Sequence, residues 1–168
     1  MRNRSITAAG LVLTLSLASL SFKCGGAGVA GTQDPRRTAA RAADAIAKSV
    51  GEMNNVKREL ARQGKISPAE ELKLTQQLLR LNTADKAVVN RLKAMSAAPS
   101  GADRSQFMSL FGELTSALDD LDRTGVVSLG DADARSRLAA IITTIRSSVG
   151  VIQSFIDANA NSNSNANG

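Results

Sequence analysis

Five aspartates in the second half of the chain are the residues best suited to bind a cation. They are Asp119, Asp120, Asp122, Asp131 and Asp133. Carboxylate oxygens are the ligands that calcium prefers, but the order of these residues does not match an EF-hand loop. Negative charges also stabilise the first turn of a helix. We therefore interpret Asp131 and Asp133 as helix-starting residues, and a calcium site in this acidic loop is the functional alternative.

A sixth aspartate falls where an apolar side chain is expected. Asp85 is in step with Leu81 and Val88, which belong to a helical apolar stripe. A carboxylate placed there needs a partner, because an unpaired charge is costly to bury. Lys48 and Lys86 are the candidate ion-pair partners.

Helix pairing would place other polar residues beside this aspartate. If residues 64–67 form the loop of a helical hairpin, Ser49 faces Asn82 and Ile46 faces Asp85. A polar layer made of Ser49, Asn82 and Asp85 would fix the register of the helices or face solvent at a seam. The functional alternative is a small-ligand site between the helices.

The residue types that most enzymes need are missing from the chain. Histidine is absent and there is one cysteine. The absence of histidine excludes Ser-His-Asp and Cys-His nucleophiles, histidine-ligated zinc and haem, and the Glu-x-x-His di-iron pattern of helical bundles. The glycine-rich residues 25–28 follow no strand, so they do not form a phosphate-binding loop. The composition predicts a non-enzyme with no catalytic residue, no cofactor and no metal site.

The N-terminal residues have the order of an export signal. Arg2 and Arg4 precede an uncharged apolar run at residues 6–22, and small residues follow it. This order predicts a secretory signal peptide over residues 1–30. An uncleaved membrane helix is the alternative, although the run is barely long enough to span a bilayer. We expect export to the periplasm, cell envelope or exterior of a bacterium.

The single cysteine, Cys24, directly follows the apolar run. With two glycines after it, its position resembles the junction of a bacterial lipoprotein, which implies a lipid attached to Cys24. Lys23 departs from this pattern, because such junctions carry a small residue before the cysteine. The alternative is ordinary signal cleavage after Ala18 or Ala30. Membrane association is expected only through the leader or this lipid.

Charge is distributed unevenly along the chain. The formal net charge is +6. Residues 34–98 have a balance of +6 and residues 99–168 a balance of −3, while the leader supplies the remaining positive charge. Solvated helix faces explain such a distribution, and attraction to an anionic surface is the alternative. Nucleic-acid binding is not expected, because the basic residues are scattered and no Trp or Tyr is present for stacking.

Apolar residues recur at spacings of three and four, which indicates amphipathic helices. Four are predicted, at about residues 35–63, 68–98, 104–124 and 132–158.

Local residues mark the helix ends. Asp34 caps the first helix, Gly64 stops it, and Ser67 with Glu70 forms a capping box for the second. Gly125 is the predicted stop of the third helix.

The helices need one another, because a single amphipathic helix is not stable alone. Short links predict two helical hairpins that pack as an antiparallel four-helix bundle, probable topology up-down-up-down, in an all-α fold. Gly51, Gly112 and Gly150 fall inside helices, where we expect close helix approach to offset their low helix propensity. The second helix has a weak point near residues 82–83. Residues 159–168 form an Asn/Ser-rich tail predicted to be disordered.

Two classes of function remain. The preferred one is an exported, non-catalytic helical bundle of the cell envelope with a structural or protein-interaction role and an unidentified protein partner. The alternative is a small-molecule or ion-binding bundle that uses the Asp85 layer or the acidic loop. A weaker alternative is a membrane-active amphipathic bundle, although the helices lack the dense basic faces and Trp anchors of interfacial peptides.

Overall fold

The structure, a computed structural model, describes residues 34–95 and 100–164, with side chains through Asp157. The leader and Cys24 lie outside the described residues, as do residues 165–168. Within the described ranges the chain forms four α-helices and no strand, so the predicted all-α four-helix bundle is confirmed. The helices are α1 (Pro35–Arg62), α2 (Pro68–Ala94), α3 (Gly101–Asp120) and α4 (Ala132–Ser164), and a π-helical turn, Leu121–Val126, extends α3.

The first helix begins and ends where its local residues predict. The Asp34 side chain accepts a hydrogen bond from the Arg36 N–H at 3.0 Å. At the other end Gly64 has a φ of 68°, which favours glycine over any residue with a Cβ. The Gly64 N–H donates to the Ala61 carbonyl and the Lys65 N–H to the Leu60 carbonyl, both at 3.0 Å. These two bonds form a Schellman motif.

The second helix starts with the predicted capping box. The Ser67 hydroxyl accepts from the Glu70 N–H at 3.3 Å, and the Glu70 carboxylate accepts from the Ser67 N–H at 2.7 Å. The helix then continues without a break past Asn82. It ends at Ala94, earlier than predicted, because Met95 has an extended backbone with ψ of 138°.

The third helix starts three residues before the predicted position. Ser100 is its N-cap: the Ser100 hydroxyl accepts from the Asp103 N–H at 3.2 Å, and the Asp103 carboxylate accepts from the Ser100 N–H at 3.1 Å. Asp103 thus takes the role that Glu or Gln has in the usual capping box. Gly101, expected in the connecting link, is instead the first residue of the helix.

The glycine predicted to stop the third helix has another role, so that prediction is wrong. Gly125 is buried inside the π-helical turn, and the only left-handed glycine among the described residues is Gly64. A Cβ on Gly125 would lie 3.2 Å from Leu74 Cδ2 and would overlap Gln77 Oε1. Gly125 is therefore needed for close approach to α2, not for a change of chain direction.

The interior glycines of the helices do not provide close approach, which corrects a second prediction. A Cβ built on Gly51, Gly112 or Gly150 would meet no atom within 4 Å. Each position is open to solvent. These glycines therefore lower helix propensity without a packing benefit.

The helices pack around one apolar core. α1 packs against both α2 and α4, and α2 packs against α3. Contact between α3 and α4 is sparser and includes the Phe107 and Phe155 rings, which meet edge to face with centroids 6.0 Å apart. The Arg146 guanidinium of α4 adds an ion pair to Asp122 of the π-helical turn at 2.8 Å.

α4 is unusually long and apolar. Over Ala132–Asp157 it is long and apolar enough, by length and composition alone, to cross a membrane. In the bundle its leucine and isoleucine residues, including Leu138, Ile142 and Ile145, are buried, Thr143 and Thr144 face outward, and Val151 is 40% exposed. This distribution is that of an amphipathic helix with one face in the core. Its backbone continues to Ser164, beyond the predicted end near residue 158.

Candidate functional site

The most unusual polar group in the core is the carboxylate of Asp85. Asp85 is 1% exposed, and both of its carboxylate oxygens are buried without a hydrogen-bond partner among the described residues. Its position on α2, four residues after Leu81 and three before Val88, turns it inward with the apolar stripe. Burial, and secondarily the negative charge of Asp44 on α1, raises the pKa of Asp85 to about 7.

The two lysines considered as partners of Asp85 are exposed. Neither Lys48 nor Lys86 forms an ion pair or hydrogen bond with the carboxylate in the part of the chain that the structure describes. Protonation is therefore the main way in which this site can lower the cost of a buried negative charge.

The other two residues of the predicted polar layer are placed differently from each other. Ser49 is buried on α1, at 6% exposure. Asn82 is only half-buried and lines a surface groove with Ala47 and Val50. Within residues 34–95 and 100–157, no hydrogen bond joins Ser49, Asn82 or Asp85 to another of the three. Ser49 and Asp85 are thus separate polar residues in the core, and Asn82 lies at the edge of the core.

A second buried charge was missed from the sequence. Lys57 is 4% exposed, and its Nζ donates a hydrogen bond to the Thr75 hydroxyl. Thr75 donates in turn to the Glu71 carbonyl at 2.7 Å. The available signal was phase, because Lys57 falls in step with Met53 and Leu60 on the apolar stripe of α1. These two successive hydrogen bonds join α1 to α2.

The acidic loop is neutralised by cations and a helix N-terminus. Asp120 pairs with Arg80 at 2.5 Å, and Asp122 pairs with Arg146. Asp119 lies 3.3 Å from the same Arg146 guanidinium.

The remaining two aspartates of this loop lie at the start of α4. Asp133 pairs with Lys65, and the Asp131 carboxylate accepts from the Ala134 N–H at 2.7 Å. Within residues 34–95 and 100–157, no three or more Asp, Glu, His or Cys side chains are grouped so that they could hold a metal ion.

Two shallow grooves flank an exposed leucine on α2. Leu79 is 64% exposed, and Leu72, two turns earlier on the same side, is 61% exposed. A groove of about 500 Å³ lies between α2 and α3 and contains Thr83, Ala87 and Glu113 in its lining. A second, of about 330 Å³, lies between α1 and α2. Leu79 contributes to both, so α2 presents an apolar ridge between two depressions.

The fold and these features define a class of protein: an all-α four-helix bundle. Comparisons of the chain with family models, with curated proteins and with solved structures found no match.

Proposed function

We propose that this chain is an exported, non-catalytic helical bundle of the bacterial cell envelope that binds another protein through the outer face of α2. The observation that carries the proposal is the exposure of Leu72 and Leu79, 61% and 64%, two turns apart on one side of α2, with Leu79 in the lining of both grooves. Exposed leucines that occur together on one helix face are typical of surfaces that become covered. Export is supported by the signal-like order of residues 1–30.

The charge of the ridge indicates the chemistry of the partner. Residues on this side of α2 recur every three or four positions: Leu72, Gln76, Leu79, Thr83, Lys86 and Asn90. None is acidic, and Lys86 is exposed. Glu113 lines the groove on the α3 side, so the surface fits an amphipathic helix whose apolar side chains enter the grooves and which places an acidic residue beside Lys86.

The test compares two pairs of exposed apolar residues. The wild-type chain is crosslinked to its partner in envelope extracts, and the amount of partner captured is measured. Leu72→Gln combined with Leu79→Gln should reduce this amount at least tenfold. The control is Met108→Gln with Val127→Gln, which removes apolar side chains exposed by 43% and 62% elsewhere and should leave capture unchanged. The captured protein must also bind the purified wild-type chain.

Two results would reject this function. Equal loss of capture in the two double variants would show nonspecific apolar binding. Light scattering could show that the purified chain is a dimer. If only the Leu72 and Leu79 substitutions dissociate that dimer, the ridge serves self-association. Cell fractionation tests export separately, since a chain found in the cytosol with residues 1–30 intact contradicts it.

A second candidate function is binding of a small molecule or ion at Asp85. Its support is the pair of buried carboxylate oxygens without a partner. A cationic ligand that used them would raise the thermal midpoint of the wild-type chain and not of Asp85→Asn. The same thermal shift in both proteins rejects Asp85 as the ligand-binding group.

A further inference from the structure

One end of the bundle collects cations that are dispersed in the sequence. The start of α1, the end of α2, the start of α3 and the last described side chains of α4 all lie at this end, as expected for antiparallel helices and as the Arg91–Asp103 ion pair requires. Within about two turns of it there are six cations and three carboxylates. The cations are Arg36, Arg37, Arg41, Arg91, Lys93 and Arg104, and the carboxylates are Asp34, Asp103 and Asp157. We call this the basic end.

The opposite end is electrically balanced. Over the same depth, with its two links, it has eight cations and eight carboxylates. Ion pairs join several of them directly: Lys65 with Asp133, and Arg137 with Glu59 at 3.2 Å. The excess positive charge of the described bundle is thus confined to one end.

Most cations of the basic end form no ion pair with a carboxylate that the structure describes. Arg36, Arg37 and Lys93 line a shallow cleft of about 190 Å³ between α1 and α2, and none of the three forms an ion pair within residues 34–95 and 100–157. The Asp34 carboxylate in the same cleft accepts from the backbone N–H of Arg36. Of the six cations, Arg91 is the one joined to a carboxylate, that of Asp103.

We propose that the basic end is a docking surface for an anionic membrane leaflet. Lipid headgroups attract clustered Lys and Arg side chains without requiring a deep pocket, and each cation near the surface adds to the attraction. The proposal rests on the proposed export, because the membrane in question is the one the chain would cross. It adds to membrane contact through the leader or a lipid at Cys24, which the sequence alone predicts.

Chain connectivity favours a membrane as the occupant. α1 begins at the basic end, and residues 23–33 are all that separate it from the apolar run at 6–22. Eleven residues span at most about 40 Å when fully extended. A chain that retains the run in a bilayer, or a lipid on Cys24, therefore keeps the start of α1 within about 40 Å of the membrane surface.

The basic end lacks the features of a protein-binding surface. Protein interfaces centre on apolar or aromatic anchors. Its exposed large apolar side chains among the described residues are Val151 on α4, at 40%, and at its margin Met108 on α3, at 43%, whereas the more exposed Leu72 and Leu79 lie on α2 away from this end. Six cations with no exposed aromatic or leucine anchor among the described side chains fit a headgroup layer better than a folded protein.

The experiment measures sedimentation of the full chain with vesicles. Neutral phosphatidylcholine vesicles report binding through the leader, and vesicles with one third phosphatidylglycerol add the anionic attraction. Arg36→Gln, Arg37→Gln and Lys93→Gln are combined in one variant. The matched control combines Arg58→Gln, Arg62→Gln and Lys73→Gln, three exposed cations near the balanced end that form no ion pair with a described carboxylate. Circular dichroism establishes that both variants fold.

The expected result is a difference between the variants on anionic vesicles alone. The basic-end variant should bind them on the order of a hundredfold more weakly than the wild type, the control variant should stay within a few fold, and high salt should remove the difference. Binding to neutral vesicles should be the same for all three chains.

Two outcomes would overturn the docking surface. One is equal weakening in both variants, which would indicate attraction by net charge alone. The other is binding of polyglutamate that depends on the basic end, with no effect of the variant on vesicles, which would indicate an acidic protein partner. If the chain is cytosolic yet the basic-end variant loses anionic vesicle binding, the proposed export fails and the lipid contact stands.

Discussion

Glu70 joins the start of α2 to the link that precedes α4 through a hydrogen bond with Gly130. Its Oε1 accepts from the Gly130 N–H at 3.0 Å, while Oε2 accepts from the Ser67 N–H at 2.7 Å. Hydrogen bonds from these two N–H groups, of which the Ser67 N–H has the larger effect, hold the pKa of Glu70 below its ordinary value. One carboxylate therefore completes a helix cap and fastens a link sixty residues away in the chain.

Removing this carboxylate should destabilise the bundle. Glu70→Ala leaves the Ser67 and Gly130 N–H groups without their partner, and we expect a loss of about 1–2 kcal/mol in the free energy of unfolding. Glu71→Ala is the control, because the Glu71 side chain forms no hydrogen bond with another described residue, and it should cost less than about 0.5 kcal/mol. Urea unfolding measures both. Equal losses would mean that the link is not held by Glu70.

Replacing the buried carboxylate should stabilise the bundle. Asp85→Leu removes a group that must be protonated or buried as an unpaired charge, so we expect a gain of about 2 kcal/mol near pH 8. Asp85→Asn keeps the shape and should gain less, because its amide also lacks a partner. A large loss of stability in Asp85→Leu would show that the carboxylate has a stabilising partner in the folded protein.

Stability should depend on pH through the same group. Because the pKa of Asp85 rises from 3.8 unfolded to about 7 folded, the folded state binds a proton more tightly. This contribution is complete below pH 4 and is lost as the pH rises through 7. The thermal midpoint should therefore increase from pH 8 to pH 5, and Asp85→Asn should lack this increase.

Below pH 5 the dependence should reverse. Hydrogen bonds from neighbouring donors hold the pKa of several carboxyls below its ordinary value: Glu59, Glu70, Asp103 and Asp133. Their contribution is present above the unfolded pKa and is lost as the pH falls through the folded pKa. The thermal midpoint of Asp85→Asn should still fall as the pH is lowered below 5. A midpoint that is constant from pH 8 to pH 3 in the wild type would contradict both assignments.

Replacement by alanine should change the stability of the bundle in opposite directions at Gly125 and Gly112. Gly125→Ala forces a Cβ against Leu74 and Gln77, and moving Gln77 disturbs its bond to the Asp120 carbonyl at 3.1 Å, so we expect a loss of about 1–3 kcal/mol. Gly112→Ala meets open space and should gain up to about 1 kcal/mol from helix propensity. Differential scanning calorimetry distinguishes them, and a gain at both positions would refute the close approach at Gly125.

The helices were predictable because their determinants are local. Asp34, Gly64 and the Ser67–Glu70 pair act over at most five residues, so the sequence alone shows where α1 ends and α2 begins. The phase of Asp85 within an apolar stripe is equally local, and the structure buries this residue. The start of α3 was missed because Asp103 substitutes for the usual Glu in a capping box.

The sequence by itself determined the number of helices and the inward face of each, because both follow from the spacing of apolar residues along the chain. The tertiary structure decided which distant residues meet. It buried Lys57 beside Thr75, set Gly125 against Leu74, and paired the acidic loop with Arg80 and Arg146. It also gathered scattered cations at one end, because antiparallel packing brings together helix termini that lie far apart in the chain.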